Sequence, residues 1–137
     1  MASIDVLQSV PLFQGMTDRS IGIIADLAEP ATFAAGDTLT REGDPGDSFI
    51  VLTSGTADVR QGDRSIRTLG AGDFLGEISL IDGGPRTATV TATTPIDALV
   101  IDCVGFGRLM DEFPVIRLDL VTALASRLRQ RAPETTD

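Results

Sequence analysis

The stretch FLGEISLIDGGPRTATV, residues 74–90, decides the fold, because it breaks a rhythm of short β-type runs. It predicts a short helical turn and a tight loop between two strands. Gly76 permits a close approach of the backbone, and the amides of Glu77, Ile78 and Ser79 are the unpaired donors at the start of the turn. Such donors favour a bound anion.

Two charged side chains in this stretch point to the kind of molecule that binds. Arg86 lies nine residues after Glu77 and can return its guanidinium to the turn as a doubly donating phosphate clamp. The carboxylate of Glu77 is an acceptor suited to a sugar hydroxyl. A phosphate and a hydroxyl on one small molecule describe a nucleotide.

The residues on either side of this stretch predict an all-β core. Six β-type runs alternate with Gly and Asp turn signals, and no helical crossover separates them. The pattern favours an antiparallel barrel or jelly roll over a doubly wound nucleotide-binding sheet. The runs are Thr38–Arg41, Ser48–Thr53, Thr56–Arg60, Ile66–Leu69, Arg86–Ala92 and Ile96–Asp102.

Helical periodicity flanks the β region and sets the domain boundaries. Residues 1–30 and 103–131 carry apolar positions at helical spacing, and residues 132–137 have the composition of a flexible tail. We therefore expect one domain over residues 1–131, with helices at 1–30, a β-barrel at 31–102 and helices at 103–131. Thr17 or Asp18 can cap the second N-terminal helix.

Composition excludes several classes of protein. The chain of 137 residues has no His and one Cys, so it lacks imidazole-based catalysis, disulfides and thiolate metal sites. All of its basic residues are Arg, and its net charge of −9 is unfavourable for nucleic-acid binding. No apolar run is long enough to span a membrane, and the N-terminus does not resemble a signal peptide. The single cysteine indicates a reducing compartment, so we expect a cytoplasmic location. Cys103 follows an apolar strand and is expected to be a small buried side chain.

The residues of this stretch resemble the phosphate-binding cassette of the cyclic nucleotide-binding domain family. The resemblance extends to the Pro11-Leu12-Phe13 segment, to the Gly36-Asp37 and Gly43-Asp44 turns, and to Gly55 with Ala57 and Val59. It covers residues 5–130 and implies a mainly β fold with flanking helices. In detail it implies an eight-stranded jelly-roll barrel with an N-terminal helical bundle and C-terminal B and C helices.

The resemblance also implies the roles of the site residues. Glu77 would accept from the ribose 2′-hydroxyl and Arg86 would pair with the cyclic phosphate, within a ligand-binding set made of Gly76, Glu77, Ile78, Ser79, Arg86, Thr87 and Ala88. The C-terminal helix, residues 115–131, would close over the base. The chain has no Trp or Tyr to cap the base, and Thr87 fits both cGMP-preferring and cAMP-binding patterns. We favour cAMP over cGMP as the ligand.

The resulting hypothesis is a sensor that binds a cyclic nucleotide and is not an enzyme, with no metal and no catalytic cofactor. Its partners would be the nucleotide and either an effector protein or a second copy, paired as a homodimer through the C-terminal helix. The alternative is a barrel that has lost its ligand and serves as a protein-interaction module, in which Arg86 and Glu77 form an ordinary ion pair. Arg127, Arg129 and Arg131 are interpreted as a basic end that complements the helix C-terminus or contacts an acidic partner.

Overall fold

The computed structural model describes residues 3–131, apart from the side chains of Leu128, Gln130 and Arg131. The predicted tail, residues 132–137, lies outside the described residues. Five helices and eight strands are present in the described part of the chain. The helices are α1 (Ile4–Gln8), α2 (Asp18–Leu27), α3 (Glu77–Asp82), α4 (Cys103–Glu112) and α5 (Pro114–Arg131), with a 3-10 turn at Pro11–Phe13. The strands are β1 (Glu29–Phe33), β2 (Thr38–Thr40), β3 (Ser48–Ser54), β4 (Ala57–Gln61), β5 (Arg64–Leu69), β6 (Phe74–Leu75), β7 (Thr89–Ala92) and β8 (Ile96–Asp102).

The strands form two antiparallel sheets of four strands each. The first has the order β1-β8-β3-β6 and the second the order β2-β7-β4-β5. The predicted mainly β fold with eight strands and flanking helices is therefore confirmed. The assignment of the helices to a family-type bundle and to B and C helices stays a prediction.

Strand β3 has apolar side chains on both faces because both faces are covered. Phe49 and Val51 pack in a cluster with the helices, whereas Ile50 and Leu52 pack against the second sheet. Alternate residues of a strand point to opposite faces, so a strand between two layers is apolar at consecutive positions. The first sheet is thus the middle layer, with the helices on one side and the second sheet on the other.

The chain passes from the first sheet to the second between β6 and β7, through α3 and the loop that follows it. Strand β6 pairs with β3, and β7 pairs with both β2 and β4. The segment singled out in the sequence is therefore one of the connections between the sheets. Its polar groups are placed at the edge of the space that the sheets enclose.

Several predicted boundaries were wrong for identifiable reasons. The strand predicted from Arg86 begins at Thr89, because the backbone of Arg86 is bonded to the turn at Asp44 instead. Strand β1 lies partly within the region predicted as helical; it contains Pro30 and exposed residues, as edge strands do.

Thr17 caps α2 as expected, its hydroxyl accepting from the amide of Ser20 at 3.1 Å. None of the helices in residues 3–131 has both the length and the apolar content that a bilayer span requires.

Candidate functional site

A cavity of about 750 Å³ lies between the second sheet, the α3 segment and the C-terminal half of α5. All seven residues predicted to bind the ligand line it, namely Gly76, Glu77, Ile78, Ser79, Arg86, Thr87 and Ala88. Ala123, Leu124 and Arg127 of α5 line it from the opposite side. The sequence-predicted cassette is thus brought together with part of the segment predicted to cover the base.

Gly76 allows the backbone to come close to Arg86 at the start of α3. It has a φ of +93°, a conformation that favours glycine. A Cβ atom at this position would overlap Arg86 Nη1 and the carbonyl oxygen of Ser48. Any larger side chain would therefore displace the guanidinium.

The backbone of Arg86 is held by the turn between β2 and β3. Its amide donates to the Asp44 carbonyl at 2.8 Å, and its carbonyl accepts from the Gly43 amide at 2.9 Å. Its Nη2 donates to the carbonyl oxygen of Ser48 at 3.0 Å and to Ser48 Oγ at 3.1 Å. These bonds fix the guanidinium at one orientation in the cavity wall. The contribution of Ser48 has no local signal in the sequence, since Ser48 precedes Arg86 by 38 residues.

The guanidinium of Arg86 is buried and incompletely satisfied. The residue is 8% exposed, and Nη1 has no hydrogen-bond partner among the described residues. Burial lowers the pKa of Arg86, while the carboxylates of Asp47 and Glu77 oppose that shift. A buried donor without a partner costs free energy, so this atom is a strong candidate to bind an anion.

Glu77 is also buried, but its partner is Arg127 rather than Arg86. Arg127 Nη1 donates to Glu77 Oε1 at 3.0 Å, and Arg127 Nη2 donates to the Phe74 carbonyl at 3.2 Å. The guanidinium lies over the Phe74 ring, 4.8 Å from its centroid. The prediction that Arg127 belongs to a basic helix end was wrong, because its side chain reaches back to a residue 50 positions earlier. Nor do Arg86 and Glu77 form the ion pair considered as the alternative for this site; the partners are Ser48 and Arg127.

The second oxygen of Glu77, Oε2, has no partner among the described residues. Burial raises the pKa of Glu77, and its own backbone amide and the guanidinia of Arg127 and Arg67 partly oppose the shift. An acceptor oxygen with no donor therefore lies in the same cavity as a guanidinium donor with no acceptor. The two orphaned atoms suit a ligand that has both a hydroxyl and an anionic group.

Arg67 on β5 is a third arginine of the cavity, and the sequence interpretation missed it. It lines the cavity and is half-buried, and its side chain forms no hydrogen bond or ion pair with another described residue. Burial lowers its pKa, the charge of Arg127 lowers it further, and Asp73 and Glu77 oppose the shift. The local sequence RSIRTL shows a strand, and only the pairing of strands reveals that Arg67 faces inward.

The expected burial of Cys103 was wrong, since this cysteine is exposed. The strand ends at Asp102, whose carboxylate caps α4 by accepting from the Gly105 amide at 2.7 Å. Cys103 is the first residue of that helix, and the change from strand to helix turns its side chain outward. The described residues contain no group of three or more side chains suited to hold a metal ion.

Comparison with known proteins connects this geometry to a family. The family model described as "Cyclic nucleotide-binding domain" matches residues 30–113. A cAMP-dependent protein kinase regulatory subunit of Colletotrichum orbiculare is 40% identical over 108 residues, which cover 77% of this chain and 28% of that protein. A CRP-like cAMP-activated global transcriptional regulator of Mycobacterium tuberculosis is 30% identical over 131 residues, covering 92% of this chain and 58% of that protein.

A solved structure has the same architecture. The regulatory domain of Toxoplasma gondii PKA with cAMP superposes with a TM-score of 0.76 and 30% sequence identity, over 90% of this chain and 48% of that one. The chain spans between about a quarter and three fifths of the two curated relatives described above.

Proposed function

The chain belongs to the cyclic nucleotide-binding domain family, and from that premise we propose that it is a regulatory module that binds a cyclic nucleotide. Residues 1–131 would form one such domain, with the cassette at residues 74–90 and with α4 and α5 as its B and C helices. The observation that carries the proposal is the pair of orphaned buried atoms, Arg86 Nη1 and Glu77 Oε2, in one cavity. Relatives named for cAMP support cAMP as the ligand.

Arg86 would bind the cyclic phosphate. Its Nη2 is committed to Ser48, which leaves Nη1 as the donor that has no protein acceptor. A phosphate oxygen is a strong acceptor for this atom, and the bond is charge-assisted. Ser79, Thr87 and Ala88 line the same cavity, and their backbone amides would supply further donors.

Glu77 would accept the ribose 2′-hydroxyl through Oε2. Its other oxygen already accepts from Arg127, so the ribose and α5 would share one carboxylate. This arrangement supports the proposed output, in which the C-terminal helix repacks when the nucleotide binds. A ligand that changes the environment of Glu77 changes the environment of Arg127 directly, and a difference in contacts between two states is what shifts an equilibrium.

The surface of α5 supports a partner for this output. Val115, Leu118 and Val121 are 65%, 65% and 56% exposed on this helix. An effector protein or a second copy of the chain would cover them. Sedimentation of the protein with and without nucleotide distinguishes the two, because only self-association changes the mass in the absence of another protein. Exclusion of nucleic acid as a partner stays a prediction, since one relative is a transcriptional regulator.

The primary test is calorimetric titration with cAMP and cGMP of the wild-type protein and of Arg86→Ala. We expect saturable binding by the wild type. Arg86→Ala should lose at least about 1.5–3 kcal/mol of binding free energy, because that is the typical contribution of a hydrogen bond to a charged group. Arg19→Ala is the matched control, because Arg19 is an exposed residue of α2 outside the cavity.

The role of Glu77 is tested with 2′-deoxy-cAMP, which lacks the hydroxyl. We expect the wild type to bind it more weakly than cAMP, and Glu77→Gln to show a smaller difference between the two ligands. If neither cyclic nucleotide binds at millimolar concentration, the proposal is wrong and an interaction module takes its place. Equal affinities of wild type and Arg86→Ala would refute the phosphate assignment alone.

A further inference from the structure

We propose that Thr40 and Gln61 are positioning residues for the phosphate end of the cavity. Their side chains hold the backbone that follows Arg86, so that two amides of the cassette donate to the cyclic phosphate. Neither residue belongs to the cassette, since Thr40 is the last residue of β2 and Gln61 is the last residue of β4. The inference rests on the proposed function and deepens it.

The cassette lies outside the strand ladders until β7 begins. The first residue of β7, Thr89, pairs with Arg60 of β4. The next residue, Val90, pairs with Thr40 of β2. Residues 86–88 line the cavity but have no partner in either ladder. A buried backbone group without a partner costs free energy, so the carbonyls of these residues need donors from elsewhere.

Side chains from the two neighbouring strands supply those donors. Gln61 Nε2 donates to the Thr87 carbonyl at 3.1 Å, and Thr40 Oγ1 donates to the Ala88 carbonyl at 3.2 Å. Thr40 is 7% exposed, so its hydrogen bond is shielded from water. The carbonyl of Arg86 already accepts from the turn between β2 and β3. Three consecutive carbonyls are therefore committed to the protein.

The planar peptide bond converts these contacts into a direction for the amides. In a trans peptide the N–H points away from the C=O of the same peptide group, and all of these peptides are trans. The hydrogen bond of Gln61 to the Thr87 carbonyl therefore sets the direction of the Ala88 amide. Thr40 holds the next peptide group, so Ala88 is fixed on both sides.

The two amides so placed have no acceptor in the protein. Neither the Thr87 amide nor the Ala88 amide donates to a described residue. They lie beside Arg86, whose Nη1 also has no partner among the described residues. An anionic oxygen is a strong acceptor for backbone amides, so the cyclic phosphate would satisfy all three donors together.

The residue types at the two positions fit this role better than a packing role. Thr40 and Gln61 line the cavity together with Val59 and Val90, which are apolar members of the buried cluster between the sheets. An apolar side chain would serve packing equally well at either position, but it would leave a cassette carbonyl without its donor. The hydroxyl and the carboxamide are thus explained by the carbonyls that they bind.

The test is calorimetric titration of the wild type, Thr40→Val and Gln61→Met with cAMP and with its phosphorothioate diastereomers, Sp-cAMPS and Rp-cAMPS. Each diastereomer has sulfur, a weak acceptor, in place of one exocyclic phosphate oxygen. Both substitutions remove the donor and nearly keep the size of the side chain. We expect each variant to bind cAMP about 10-fold more weakly, the lower end of what one hydrogen bond to a charged group contributes.

Discrimination between the diastereomers separates positioning from a general structural effect. The amides address one phosphate oxygen more than the other, so the wild type should bind Sp-cAMPS and Rp-cAMPS with different affinities. The ratio of these two affinities should fall in Thr40→Val and in Gln61→Met. Thr40→Ser restores the hydroxyl and should regain most of both the affinity and the ratio.

Matched controls carry the same substitutions outside the cavity. Thr91→Val in β7 and Gln14→Met at the end of the 3-10 turn should leave all affinities unchanged, and a thermal scan of each variant shows that it folds. The positioning role is wrong if the wild type binds both diastereomers equally, or if Thr40→Val and Gln61→Met weaken all three ligands by one factor or not at all. In those cases the cyclic nucleotide site still stands. If no nucleotide binds to the wild type, the proposed function itself fails.

Discussion

The contact between α5 and the cassette depends on Arg127, and replacing that residue tests how it stabilises the fold. Arg127 makes a 3.0 Å ion pair with buried Glu77, a 3.2 Å hydrogen bond to the Phe74 carbonyl and a cation–π contact with the Phe74 ring. Its side chain is 23% exposed, so the pair is partly shielded from water. We expect Arg127→Ala to destabilise the protein at neutral pH.

The magnitude follows from the individual contacts. A hydrogen bond to a charged group contributes about 1.5–3 kcal/mol and a cation–π contact about 0.5–1 kcal/mol. Ordering an arginine side chain costs about 2 kcal/mol of rotamer entropy, which the variant regains. Because Arg127 makes two such hydrogen bonds, the net loss is about 3 kcal/mol, and for a chain of 137 residues this lowers Tm by about 10 °C.

The pH dependence of this loss identifies its cause. Burial raises the pKa of Glu77, and Arg127 opposes that rise, so removing Arg127 should raise the pKa further. When a carboxyl has a higher pKa in the folded state than in the unfolded state, the folded protein loses stability as the pH rises towards and through the folded-state pKa. The difference in the free energy of unfolding between wild type and Arg127→Ala should therefore be larger at pH 7.5 than at pH 4.

The assay is chemical or thermal unfolding of wild type, Arg127→Ala, Glu77→Gln and the double variant. Arg129→Ala is the charge-matched control, since Arg129 is an exposed residue of the same helix. The ion pair would not be the source of the stability if Arg127→Ala lowered the free energy of unfolding equally at both pH values. The same conclusion would follow if it lowered that free energy equally in the presence of Glu or Gln at position 77.

Three further predictions concern the cassette, the turn beside it and helix α4. Glu77→Gln should raise Tm at neutral pH, because the raised pKa of Glu77 means that ionising this buried carboxyl destabilises the folded protein. The gain in Tm should disappear when the pH falls below 4.5, the ordinary pKa of a Glu side chain. Thermal unfolding measured from pH 4 to pH 8 checks this. Gly46→Ala should destabilise the protein by about 1–3 kcal/mol, because the added Cβ would overlap Ser79 Cβ and lie 3.0 Å from Arg86 Nε. Gly107→Ala in α4 meets nothing within 4 Å and should instead stabilise by about 0.5–1 kcal/mol, so urea unfolding of the two alanine variants gives opposite shifts.

Much of the architecture was accessible from periodicity and turn chemistry. The β runs, the change to helices at both ends and the break at residues 74–90 follow from local patterns of apolar residues and glycine. Strands β1 and β6 were missed, because one is an exposed edge strand containing Pro30 and the other has two residues.

The candidate site was predictable only on the side formed by one continuous segment. Gly76, Glu77 and Arg86 lie within 11 consecutive residues, so their proximity could be inferred from spacing. Ser48, Arg67 and Arg127 come from separate elements and meet them through the pairing of β4 with β5 and the packing of α5. Sequence spacing carries no information on such contacts.

The amino-acid sequence by itself determined the charge and the chemical groups of the protein. The chain is acidic, has no histidine, and has arginine as its only basic residue type. It also contains a segment bounded by glycine that carries the Glu77 carboxylate and the Arg86 guanidinium. Tertiary structure alone decided which charges meet. It paired Glu77 with Arg127, left Arg86 Nη1 and Glu77 Oε2 without partners, and turned Arg67 inward. The physical reason is that an ion pair or an orphaned donor depends on distance and burial in space, which the order of residues along a strand or helix does not specify.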